Sequence, residues 1–161
     1  MTIRSLAIAA LLAVLLPAAA MAEEGELGLT VHNSVARKEC GACHVPYSPE
    51  FLPARSWRKI IDNLSNHFGE DASVTAKKRK MILAYFEAHA ADRSGTRVGR
   101  AFMRGIRRGQ TPLRVTNTPM WNAIHEGVAR HWWTDPRVKS KANCGACHGR
   151  AAQGFFGEQE E

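Results

Sequence analysis

Apart from one stretch near its start, the 161-residue chain has no long run of apolar residues. The exception, Leu6 to Leu16, follows Arg4 and falls short of the roughly 20 residues that a spanning helix needs. It leads into Ala18, Ala19, Ala20, Met21 and Ala22, which place an A-x-A site just before Glu23. Residues 1–22 therefore read as a secretory signal peptide cut after Ala22. No cysteine stands at that point to accept a lipid. The mature chain is expected to be exported to the periplasm, soluble, monomeric and without stable membrane insertion. Export alone argues against nucleic acid as a partner.

Acidic residues are scarce. Fifteen Asp and Glu face 22 Lys and Arg, a formal charge of +7 that falls to +6 when Arg4 leaves with the leader. Between Arg93 and Arg114 there is no acid at all, but seven arginines. This change of composition marks the expected junction between two halves, residues 23–92 and residues 93–161. A length prior of roughly 100 to 200 residues per domain admits either one domain or two small ones.

Cysteine is limited to four residues, and none lies outside two copies of one pentapeptide. The copies are Cys40-Gly41-Ala42-Cys43-His44 and Cys144-Gly145-Ala146-Cys147-His148. CxxCH is the attachment signature of haem c. Two thiols three positions apart on a helical turn can each add to a vinyl group of one porphyrin, and the adjacent histidine then lies beneath the iron. Cys40, Cys43, Cys144 and Cys147 are thus the expected tethers of two covalently attached haems, and His44 and His148 their proximal iron ligands. Two disulfides would leave both following histidines unexplained. A four-thiolate zinc site normally spaces its CxxC pairs by roughly 15 to 20 residues, whereas Cys43 and Cys144 are about 100 apart.

The rest of the pattern is helical. A first helix is expected from about Thr30 into Cys43, followed by a loop that Pro46, Pro49 and Pro53 keep extended. Trp57, Ile60, Ile61 and Leu64 recur with helical period, His67 continues their stripe, and Gly69 stops it. Ser73 or Thr75 caps a third helix that runs to about Ala91 with Ile82, Tyr85 and Phe86 on one face. Lys77 to Lys80 read as a solvated face. Halves of this size are marginal without extra support, and the porphyrin would supply it.

Function turns on the second axial position, because a filled one moves electrons and an open one binds oxygen, peroxide or nitrite. His67 and His89 both extend apolar stripes in the first half, and their pattern does not separate them. In the second half His125 follows Trp121 by four residues, so both share one helix face and the Trp could pack on the haem. His131, beside Trp132 and Trp133, is the alternative, with Met120 behind it. His32 lies too close to the first motif to fold across its own haem and reads as a surface residue.

Further segments carry a resemblance. Tyr47 and Pro49, Leu52-Pro53-Ala54 with Trp57, and Asn66-His67-Phe68-Gly69-Glu70-Asp71-Ala72-Ser73 follow the first motif. Ala90-Ala91-Asp92-Arg93, Gln110-Thr111-Pro112-Leu113-Arg114, and Thr118-Pro119 with Trp121 and His125 precede the second. Together with the two pentapeptides, they make the chain resemble the bacterial dihaem cytochrome c family over most of its mature length. The resemblance implies an all-α fold of two small haem-binding domains, the first similar to class I cytochromes c and the second a less regular helical domain. It implies bis-histidine ligation of both haems, with His67 and His125 as the distal ligands. It also implies an electron carrier that serves a small oxygen-binding monohaem cytochrome and is fed by a membrane b-type cytochrome. His89 stands where the family pattern suggests a polar non-ligand.

Four ionised propionates would cut the formal +6 to about +2, so some of Arg97, Arg100, Arg104, Arg107 and Arg108 are candidate propionate partners. Others could steer an acidic redox partner. The rival function is a haem enzyme, a peroxidase or small-oxide reductase with one open iron, but no cluster of acid and base residues marks such a site. A sensor would need an output domain. If the porphyrin is the core, a Cys43→Ala variant lacking the first haem loses its native circular dichroism spectrum, and a native-like spectrum in that form refutes the expectation.

Overall fold

The first helix, α1 (Ser34–Cys40), starts where the side-chain oxygen of Asn33 accepts the Ala36 N–H. It is shorter than expected and ends at Gly41, so Cys40 is its last residue while Cys43 and His44 lie in the turn beyond. The computed structural model describes residues 29–157; the expected leader and its cleavage point lie outside them. Among the described residues the chain is all-α, six helices joined by loops and 3-10 turns, with no strand beyond an isolated bridge from His67 to Glu70. None of these helices is long and apolar enough to cross a membrane.

The proline-rich loop holds a 3-10 turn at Pro49–Phe51 and then delivers α2 (Ala54–Ile61). Pro53 precedes α2 and offers no capping side chain. The cap comes instead from Asp92, whose Oδ1 accepts the Ala54 N–H at 2.8 Å while its Oδ2 lies 3.8 Å from the Arg55 guanidinium. A residue expected to mark a boundary thus closes the start of a helix 38 positions away.

α2 stops at Ile61, earlier than the periodicity predicts. Asn63 leaves helical geometry and its amide donates to the Asn66 carbonyl, the kind of local bond by which Asn competes with helix. His67 consequently sits in a tight turn, not on a helix. Its N–H donates to the Glu70 carbonyl at 2.7 Å, Phe68 adopts a left-handed φ of 60°, and Gly69 follows at 106°. A left-handed non-glycine residue stores on the order of 1 to 3 kcal/mol, held here by the surrounding bonds.

The third helix, α3 (Ala76–Ala88), is capped by Thr75, whose hydroxyl accepts the Lys78 N–H. It packs on α2, with the Trp57 and Phe86 rings 4.5 Å apart and the Trp57 indole N–H donating to the Pro49 carbonyl at 2.7 Å. Val31, Ala36, Leu52, Ala54, Ile61, Ile82 and Ala90 complete this first core cluster. The basic run at the start of α3 is not purely solvated. Lys78 pairs with Glu39 at 2.8 Å, part-buried, and Arg79 with Asp62 at 2.5 Å, an exposed pair worth no more than about 1 kcal/mol.

The arginine-rich segment folds as well. Thr96 caps α4 (Arg97–Met103), which buries Gly99 and Phe102 and leaves its arginines exposed. Thr118 and Pro119 start α5 (Pro119–Ile124), and a single turn, α6 (Arg130–Trp133), follows. Beyond it only 3-10 turns remain, at Cys144–Ala146 and Ala151–Gln153, so the second half is the less regular one.

The second cluster joins Phe51 and Ala91 to Phe102 and Trp121. Phe51 lies 4.8 Å from Phe102 and 5.4 Å from Phe156, so the tail folds back onto the proline loop. A clasp seals the same side: Leu29 N–H donates to the Gly154 carbonyl at 2.9 Å and the Thr30 hydroxyl to the Gln153 carbonyl at 2.6 Å. Gly154 has φ of 87°, and a Cβ there would come 2.4 Å from the Thr30 nitrogen, so only glycine fits. Replacing Asp92 with Ala removes the cap of α2 and should lower stability by about 1 kcal/mol, read as a lower urea midpoint at unchanged slope. An unshifted midpoint would show that α2 does not depend on it.

Candidate haem sites

At the first motif the four-residue turn after α1 turns His44 inward, half-buried, while Cys43 stays exposed and Cys40 is half-buried. The His44 Nδ1 lies 2.7 Å from the Val45 carbonyl oxygen. A carbonyl can only accept, so Nδ1 carries the proton and Nε2 presents its lone pair. Opposite it stands His67, brought there by the strained turn. The two ring centres are 6.2 Å apart and their planes 16° from parallel. Burial first, then the proximity of His44 and Arg114, holds His67 below its ordinary imidazole value, so it is neutral at neutral pH, as a metal ligand must be.

At the second motif the chain arrives by a 3-10 turn, and His148 faces His125, which closes α5. Their ring centres are again 6.2 Å apart, this time with planes at 87°. His125 donates from Nδ1 to the Trp121 carbonyl at 2.8 Å, again freeing Nε2. The Trp121 indole stacks on His125 at 4.2 Å and 19°, and Trp133 closes from the side at 6.1 Å. The shared helix face expected of Trp121 and His125 is thus present, with the buried indole against the imidazole itself.

The other candidates lie elsewhere. His89 is exposed at the end of α3, donates from Nδ1 to the Tyr85 carbonyl at 2.8 Å, and leans on the Tyr85 ring. His131 is exposed against Trp132. Met120 packs beside the second cluster, and His32 is exposed as expected.

A metal held between two imidazoles has each nitrogen at about 2 Å, so the ring centres fall roughly 6 Å apart. Both pairs meet that spacing. No two of the four cysteines pair as a disulfide, and among the described residues no three His, Cys, Asp or Glu side chains converge as a polydentate metal site would require. Burial, then the Glu39 charge, pushes the Cys40 thiol up to about 11, and burial raises Cys144 too. Neither is a thiolate at neutral pH, which is the wrong poise for thiol redox work. The donor set fits a haem at each motif, tethered by two sulfurs and flanked by two imidazoles.

A family model described as dihaem cytochrome c matches residues 36–156. The chain belongs to the dihaem cytochrome c family. Like the family, it carries two covalently attached haem c groups, at Cys40/Cys43 and at Cys144/Cys147. Among solved structures it is similar to a diheme cytochrome c from Rhodobacter sphaeroides, with 41% identity and a TM-score of 0.74 over 80% of this chain and 100% of that one. A second structure from that organism, of DHC purified from it, is 38% identical with a TM-score of 0.66, over 79% and 99%. A diheme cytochrome c from Shewanella baltica is 31% identical with a TM-score of 0.63, over 78% and 87%. No curated protein matches the chain.

Two residues of these dihaem sites, named in the sequence only for the resemblance, have roles that no local period showed. Arg114 lies 4.0 Å above the Phe68 ring and pins the His67 turn. Tyr47 stacks on His44 at 4.9 Å and donates its hydroxyl to the Ala142 carbonyl at 2.6 Å. Burial, then the neighbouring Cys144, pushes that hydroxyl above its ordinary range, so it stays protonated. The intact mass of the exported protein should equal its polypeptide plus two haems, and a Cys144→Ala/Cys147→Ala variant should lose one. A mature mass equal to the amino acids alone would remove both cofactors.

Proposed function

We propose that the protein is a periplasmic electron carrier, not an enzyme, in which His44 and His67 hold one haem iron and His148 and His125 the other. The observation that carries the reading is the common 6.2 Å separation of the two histidine pairs. Two units, residues 23–92 and 93–161, each bind one haem in it. When bound, each haem supplies a one-electron couple at iron.

The protein's own groups do the rest. His67 is kept neutral and aimed by its turn, and Arg114 over Phe68 resists the turn's opening. Trp121 and Trp133 pack on His125 so that the imidazole cannot swing away. Each distal ring therefore fills the place a small oxide or peroxide would need. Nitrogen on both faces also favours a lower potential than a methionine-ligated centre would have. Arg97, Arg100 and Arg104 line a groove of about 640 Å³ beside Asp92. Guanidinium groups on such a surface suit an acidic redox partner and steer its approach. The family reading makes that acceptor a small oxygen-binding monohaem cytochrome and the donor a membrane b-type cytochrome.

Spectroscopy tests the closed-carrier reading. The oxidised protein should be entirely low-spin, and the reduced protein should fail to bind carbon monoxide at neutral pH. His67→Ala and His125→Ala should each convert one haem to high spin, whereas His89→Ala and His131→Ala should convert none. A high-spin band in the unaltered protein, or rapid carbon monoxide binding, would overturn it.

A further inference from the structure

Tyr47 joins two places that the sequence keeps 95 residues apart. Its ring lies on His44, with centres 4.9 Å apart and planes at 22°. Its hydroxyl donates to the Ala142 carbonyl at 2.6 Å, two residues before Cys144. The Cys144 thiol points at the same oxygen from 3.7 Å. Once that sulfur becomes a thioether it has no proton to give, and the tyrosine remains as the carbonyl's donor. Two more observations put the motifs back to back. A Cβ on Gly145 would lie 3.8 Å from Val45, and Tyr47 packs against both core clusters.

We propose that Tyr47 is a positioning residue common to both haem sites: its ring sets the plane of the His44 imidazole and its hydroxyl holds the loop that delivers Cys144. This rests on His44 being an iron ligand. The face of the phenol limits rotation of the imidazole about its own bond to the metal, and that rotation sets the angle to His67, here 16°. The hydroxyl bond fixes the Ala142 carbonyl and neutralises part of its negative end. Without that donor the exposed carbonyl dipole favours the ferric form of the nearby second haem, so its potential falls.

The test uses the haem-loaded protein with two variants and a control. Tyr47→Phe keeps the ring and removes the hydroxyl. It should leave the first haem's low-spin resonance where it is and shift the second haem's midpoint potential downward. Tyr47→Leu removes both and should also displace the first haem's g-values, which follow the angle between the two axial imidazoles. Tyr85→Phe, which only loses the bond from the His32 N–H, should lower stability without moving either potential. If Tyr47→Phe leaves the second potential unmoved or raises it, or Tyr47→Leu leaves the first resonance unmoved, the assignment is wrong. If Tyr47→Leu does not fold, Tyr47→Phe alone decides. Failure here is distinct from failure of the carrier reading, which is judged on carbon monoxide binding by the unaltered protein.

Discussion

Two pairs of imidazoles, His44 with His67 and His125 with His148, are each held with ring centres 6.2 Å apart within one small chain. Nothing local can do it, because a CxxCH segment brings only one of the two rings. The partner ring has to be carried in by a different element and kept there against the pull of solvent on a polar group. In the first site a strained turn carries it, with Phe68 at φ of 60° and Arg114 lying over its ring. In the second a helix end carries it, with Trp121 stacked beneath. The equal 6.2 Å separations come from unlike machinery, and the ring planes differ accordingly, 16° against 87°.

Each half is too small for a large apolar core, and the structure compensates by sharing parts. Phe51 comes from the proline loop of the first half yet packs with Phe102 and Phe156 of the second. Asp92 caps a helix that begins 38 residues earlier. Tyr47 reaches the second motif from beside the first. The junction suggested by composition is therefore a well-bonded region, and two of the arginines that mark it, Arg97 and Arg100, ride on a helix whose other face is buried.

Much of the chemistry was legible in the residues. The repeated pentapeptide names its cofactor because the spacing of two thiols and a histidine is itself the binding geometry. Helices α2 and α3 announced themselves through apolar period, and Thr75 through its capping chemistry. The pattern missed where α2 ends, since Asn63 bonds to Asn66 rather than continuing the helix, and that decided whether His67 or His89 could face His44. The stripe argument treated both histidines alike because it sees only one helix at a time. Tyr47, Asp92 and Arg114 stood in the family pattern, but their roles were not legible for the same reason: each acts on a residue distant in sequence, and no local period records such a pairing.

The uneven sharing of parts has a bearing on maturation. The buried residues of the first cluster all fall between Val31 and Ala90, whereas the second cluster borrows Phe51 from upstream. A chain emerging from its amino end therefore presents every buried member of one core before the other can be finished. The upstream site still waits on Arg114, which lies over Phe68 beside His67, before its turn is pinned. The clasp of Leu29 and Thr30 on Gln153 and Gly154 closes only when the last turn arrives, which makes it the latch of the assembly.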